Sequence, residues 1–169
     1  AGSPLFINDA VLRIRALCAE QGHPIRLVHG LSFVDLVLDR VYWTGTSGLQ
    51  LYSAWNVARD GMELSSEAPA LLCQLGEFSS GGEAVDMDGS QVMLEALRDR
   101  LVERYPADHP VIILYSSGKP AYESLGRRIE LSQLADQPVP VYSNLWIPSL
   151  HGNPLESQLA PPSAKKGSQ

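Results

Sequence analysis

His109-Pro110-Val111-Ile112-Ile113-Leu114-Tyr115, followed by Ser116-Ser117-Gly118-Lys119-Pro120, is the stretch on which the fold turns. A β-branched apolar run opened by proline and closed by Ser, Gly and Pro reads as a buried strand leading into a loop. Upstream, Gly89 to about Tyr105 predicts a long helix. Leu94, Leu97, Leu101 and Tyr105 form its apolar stripe, and Arg98, Asp99, Arg100 and Glu103 its wet face. Pro106 ends it. Downstream, Arg128-Ile129-Glu130-Leu131 predicts a further strand running into a short helical turn. Asn144-Leu145-Trp146-Ile147-Pro148 predicts a last, edge strand, where a proline is tolerated.

The first half of the chain alternates in the same way. Asn8 or Asp9 can cap a helix carrying Val11, Ile14 and Cys18 on one stripe, and Gly22 stops it. Ile25 to Val28 predicts a short buried strand. Ser32-Phe33-Val34-Asp35 fits a capping box, with a hydroxyl at the cap and a carboxylate three residues on. The helix it opens is apolar almost all round and is expected to be largely buried. Thr44 to Gly48 is a loop, Leu49 to Tyr52 a strand candidate, and Ala70 to Leu75 another apolar run after Pro69. Ser79-Ser80-Gly81-Gly82 reads as a flexible stretch. Helices and short β-rich runs thus alternate, with a more β-rich end, which predicts an α/β layered fold on a mixed sheet. Residues 151–169 hold Pro161-Pro162, Ser, Gly and Lys and read as a linker or tail.

Composition narrows the function classes. At 44% hydrophobic and 19% charged residues, the 169-residue chain is globular rather than disordered. A net charge of -6 argues against a broad nucleic-acid surface. No segment is long and apolar enough to span a bilayer, and a cytoplasmic protein is the expectation. Cys18 and Cys73 each sit in an apolar run and read as buried free thiols. His23, His29, His109 and His151 show no metal-ligand spacing, so no metal site is expected. No serine occupies a nucleophile elbow. Gly45-Thr46-Ser47-Gly48 lacks the lysine of a phosphate-binding loop and reads as a connector.

What remains is a set of loops beside predicted strands: Gly2-Ser3-Pro4, His29 to Phe33, Leu75-Gly76 and Ser117-Gly118. In open α/β sheets, loops at strand carboxyl ends converge on a ligand crevice. Small residues let the main chain approach a ligand closely. The opening loop also leads straight into a helix, so a preceding strand is expected outside this sequence.

The order of these motifs resembles the tetrapyrrole methylase family, the S-adenosylmethionine-dependent methyltransferases of corrin and sirohaem pathways. The resemblance runs from Gly2 to about Leu150 and covers the later part of the family's two-domain unit. Gly2-Ser3-Pro4-Leu5-Phe6 is similar to its Gly-Asp-Pro loop. Ile25 to Val28 and then His29-Gly30-Leu31-Ser32-Phe33 are similar to its strand and Pro-Gly-[Val/Ile]-[Ser/Thr]-small turn. Cys73-Gln74-Leu75-Gly76 resembles its Tyr-Met-Gly strand end. Leu94 to Gly118 resembles its long helix and following strand. Leu145-Trp146-Ile147-Pro148 resembles the ending found where the methylase unit precedes a MazG-type nucleoside triphosphate pyrophosphohydrolase. Ser3 stands where the family has Asp, His29 where it has Pro, Phe33 where it has a small residue, and Leu75 where it has Met.

The resemblance implies the end of an amino-terminal cofactor-site domain over 1–30, a carboxyl-terminal α/β domain over 31–150, and a linker over 151–169. It implies S-adenosylmethionine as cofactor, bordered by Gly2, Ser3 and Phe6 on one side and by Ser32, Phe33, Leu75 and Gly118 on the other. It implies a homodimer and a small-molecule methyl acceptor. Two readings of Ser32 stay open, helix cap or ligand contact; Phe33 narrows the pocket or belongs to the core. Trp43, Trp55 and Trp146 anchor an interface or a core. The competing functional readings are a non-catalytic module that regulates a fused pyrophosphohydrolase and an unrelated α/β binding domain.

Overall fold

The computed structural model describes residues 9–28, 30, 32–43, 45, 48–77, 87–115, 125–140 and 142–161. The cap candidate Asn8, the Ser79 to Gly82 stretch and the Ser116 to Pro120 loop lie outside them. Helix α1 spans Asp9–Glu20. It stops at Gly22, whose φ of 67° is the left-handed ending that glycine permits. None of its residues joins a hydrophobic cluster of the body. Ile25 to Val28 is not the expected buried strand. The segment pairs with no described strand, and Val28 is 78% exposed. A run of β-formers becomes a strand only where a neighbour takes up its hydrogen bonds.

The capping box forms as read. Ser32 Oγ accepts from the Val34 N–H at 3.2 Å, and Asp35 Oδ2 accepts from the Ser32 N–H at 3.0 Å. Helix α2, Phe33–Leu38, buries Val37 fully and leaves its other apolar residues half-buried, less than its apolar circumference suggests. Next come β1 (Gln50–Ser53), the short α3 (Ala54–Ala58) and β2 (Ala70–Cys73). A 3-10 turn at Leu75–Glu77 follows β2. Helix α4 covers Met87–Val102. β3 (Pro110–Tyr115) and β4 (Leu125–Glu130) pair antiparallel, and a second 3-10 segment, Leu131–Asp136, leads to β5 (Ser143–Ile147).

The five strands form one mixed sheet in the order β1-β2-β5-β3-β4. β1 and β2 are parallel, and β5 runs antiparallel to both β2 and β3. β1, β2 and β3 therefore point the same way. The expected edge strand is instead the central one. All five of its residues are buried, and Pro148 lies just past its end, where no ladder bond is lost.

Strand alternation divides the core into two faces. Ala70, Leu72, Val111, Ile113, Leu145 and Ile147 turn toward α3, α4 and the 131–136 segment. Leu71, Cys73, Ile112, Leu114 and Trp146 turn toward α2, Val41 and Leu159. The sheet thus carries helices on both faces, as the layered α/β reading requires. Trp146 belongs to this core, and its Nε1–H donates to the Glu156 carbonyl at 2.9 Å. Residues beyond His151 contribute as well. Leu159 bridges to Val41, the Ala160 N–H donates to the Arg40 carbonyl at 2.9 Å, and the Ser149 hydroxyl donates to the buried Glu156 carboxylate at 3.0 Å.

His109, at the foot of β3, is buried beside Tyr105, with ring centroids 5.0 Å apart. Its Nε2–H donates to the Pro148 carbonyl at 3.0 Å, because a carbonyl can only accept. Burial holds its pKa below the ordinary 6.5, against the opposing pull of that hydrogen bond and of Asp108. In the window below 6.5 the unfolded chain binds more protons than the folded one, so stability falls as pH falls through that window. Thermal melts from about pH 7.5 to about pH 5 are expected to show a falling midpoint, and His109→Gln to flatten part of that slope. An unchanged slope in the variant counts against this assignment.

Candidate functional site

The parallel strands β1, β2 and β3 deliver their carboxyl ends to one edge of the sheet, and β5 and β4 begin there. Register builds the floor of a cleft at this edge. Ser143 pairs with Tyr115, and Tyr115 with Leu125, so these side chains form one row across the sheet. Ile113 and Arg127 form the next row on the same face. Pro138 and Pro140 close the other side, around a cleft of about 540 Å³. That size is in the range of small-molecule sites.

The cleft is mostly apolar, and its polar side chains are few. The Arg127 guanidinium donates to Gln137 Oε1 at 3.1 Å, which holds it at the rim. The Ser143 hydroxyl is fully buried and has no hydrogen-bond partner among the described residues. A buried hydroxyl left unsatisfied costs on the order of 1–3 kcal/mol.

Backbone strain gathers at the same edge. Gln74, just past β2, has φ 63°, and Tyr142, just before β5, has φ 70°; these are the described non-glycine residues with positive φ. Such conformations cost of order 1–3 kcal/mol each and cluster at functional sites. Asn144 lies between them in the sheet. Its Oδ1 accepts from the Gln74 N–H at 3.3 Å, and its Nδ2 donates to the Tyr142 carbonyl at 3.5 Å. The side chain takes the place of the next ladder bond, so β2 turns away from β5 where the crevice opens. Cys73, beside this turn, offers no nucleophile: burial pushes its thiol up to about 12, leaving almost no thiolate at neutral pH.

The residues expected from the sequence are placed as follows. Gly2, Ser3, Phe6 and Gly118 lie outside the described residues. Ser32 is the N-cap of α2. Phe33 packs, half-buried, on the Trp146 face of the sheet. Leu75 is fully buried in the cluster on the opposite face, in the turn after β2. The side chains of Phe33 and Leu75 therefore do not meet, and main-chain atoms are what the Leu75 turn offers at the carboxyl edge. Sequence reasoning missed Tyr115, Arg127, Ser143 and Asn144. The available signal was the polar Tyr142-Ser143-Asn144 step into an apolar strand, but its meaning depends on β5 lying between β2 and β3. Among the described residues, no group of His, Cys, Asp or Glu gathers as a metal site, and no helix is long and apolar enough to cross a membrane.

No protein-family model and no curated protein matches the sequence. Solved structures do match the fold. Uroporphyrin-III C-methyltransferase from Thermus thermophilus superposes with a TM-score of 0.60 at 17% identity, over 88% of this chain and 61% of that one. A second structure of that enzyme, complexed with S-adenosylhomocysteine, matches with a TM-score of 0.56 at 10% identity, over 87% of this chain and 62% of that one. The cobalt precorrin-4 methyltransferase CbiF matches with a TM-score of 0.55 at 13% identity, over 87% of this chain and 61% of that one. The chain has the tetrapyrrole methylase fold, and it spans about three-fifths of the length of these structures.

Asn144→Ala is expected to lower stability by about 1–2 kcal/mol in denaturant melts and to speed hydrogen exchange at the Gln74 amide. Asn144→Asp keeps the acceptor and is expected to keep that amide protected.

Proposed function

We propose that this chain is the later part of an S-adenosylmethionine-dependent methyltransferase of the tetrapyrrole type. The observation that carries the reading is the apolar cleft at the carboxyl edge of β3 with a buried hydroxyl that has no partner among the described residues, in a fold shared with a structure complexed with S-adenosylhomocysteine. The residues fit an adenosyl group: a flat apolar floor, and one buried hydroxyl with no partner among the described residues. When bound, S-adenosylmethionine supplies a methyl group on a positively charged sulfur, already electrophilic.

The work left to the chain is binding and aim. Ile113, Leu125 and the two prolines exclude water from one side of the ligand. Gly2, Ser3 and Phe6 are proposed to border it from one side, and Leu75 and Gly118 from the other; Phe33 packs on the sheet face opposite the cleft and, with Ser32, acts only through the position of α2. Leu75 acts there through its main chain, since its side chain is committed to the core. Ser32 is already occupied as a helix cap, so its contribution is to set the position of α2. Holding an acceptor in line with the carbon–sulfur bond supplies most of the acceleration, so no acid–base pair is required of these residues.

The finer parts of the reading rest on the sequence resemblance. They are a fused MazG-type pyrophosphohydrolase, supported by the Leu145 to Pro148 ending, and a second copy of the chain as partner. A non-catalytic regulatory module is the second reading, favoured by Ser3 and Leu75 at positions where the family has Asp and Met. Titrating the chain with S-adenosylhomocysteine while following amide NMR shifts tests ligand binding directly. Weak binding with shifts gathered at Tyr115, Gly126 and Ser143 is the expected result. No shift at millimolar ligand, or shifts confined to another surface, overturns the proposal.

A further inference from the structure

We infer that the Ser143 hydroxyl is a ligand contact, reserved for a polar edge of an uncharged planar heterocycle lodged in the cleft over Tyr115. The inference deepens the proposed function and rests on it. Three observations converge. Ser143 lines the cleft at the start of the central strand, opposite Tyr115. Its Oγ is buried with no hydrogen-bond partner among the described residues, at a register position where β5 pairs with Tyr115 of β3 and the ladder to β2 has already ended. The side chains around it are Ile113, Tyr115, Leu125, Pro138 and Pro140, which suit a flat ring and offer no charge to bind.

The chemistry of the lining selects one end of an adenosyl ligand. Among the described residues that line the cleft there is no carboxylate to match an ammonium group. The cation among those described residues, Arg127, is engaged with Gln137. The heterocycle end fits and the amino-acid end does not. A hydroxyl can both donate and accept, so it can meet either a ring nitrogen or an exocyclic amine. Because the hydroxyl is closed off from water, the ring edge that reaches it must displace the side chain that covers it.

Such a hydroxyl has an unusual signature under mutation. Removing it costs the fold no hydrogen bond to any described residue, and it deletes an unsatisfied group. Removing it costs the complex one hydrogen bond. Ser143→Ala is therefore expected to leave the thermal midpoint unchanged or raise it. The same variant is expected to bind S-adenosylhomocysteine and adenosine roughly tenfold more weakly than the wild type, measured by NMR titration. Ser143→Cys, which keeps the size but donates poorly, is expected to fall with the alanine variant. Homocysteine alone is expected to show no difference between wild type and variant.

The outcomes separate cleanly. A wild-type chain silent toward S-adenosylhomocysteine brings down the functional reading, and this inference with it. Wild-type binding that Ser143→Ala leaves unchanged overturns the inference alone. A fall in the thermal midpoint of Ser143→Ala shows that the hydroxyl serves the fold, and overturns it too.

Discussion

Everything in this molecule depends on β5 entering antiparallel between β2 and β3. β2 and β3 point the same way and would otherwise be separate halves of a sheet. β5 supplies both with hydrogen-bonded neighbours and fills both faces, with Leu145 and Ile147 on one and Trp146 on the other. A fully buried aromatic of this kind is worth about 3–5 kcal/mol when truncated. The Trp146 indole also ties the segment beyond His151 to the core through the Glu156 carbonyl. The same strand that closes the sheet therefore anchors its last turn.

That insertion also makes the site. A strand running opposite to its neighbours begins where they end, so its first residues lie beneath the crevice formed by their carboxyl ends. Ser143 and Asn144 occupy that position. Asn144 uses its side chain to hold two left-handed residues, while the Ser143 hydroxyl has no partner among the described residues. Two adjacent residues on opposite faces of one strand thus divide the work: one fixes the shape of the edge, the other faces the cleft.

Much of the local structure was legible. The Ser32 to Asp35 capping box, the Gly22 stop and the apolar run of β3 follow from short-range physics and appear where the sequence puts them, while α4 ends at Val102, short of the expected Tyr105. Legibility failed where an element's state depends on a distant neighbour. Ile25 to Val28 has the residues of a strand and no described strand beside it. Asn144 to Pro148 has the proline of an edge and a central place. Leu75 and Phe33 read as flanking one pocket, yet their side chains fill cores on opposite faces, because sequence order does not say which way a turn presents its side chain.

By itself the sequence determined the class of fold, the positions of most helices and strands, and a motif order resembling the tetrapyrrole methylases. Hydrophobic period, caps and breakers act within a few residues and can be read along the chain. Only the tertiary structure decided the order of strands, the burial of Trp146 and Glu156, and the meeting of Tyr115, Arg127 and Ser143 at one cleft. Those depend on pairings between segments tens of residues apart, and strand pairing is chosen by the energy of the whole packed sheet.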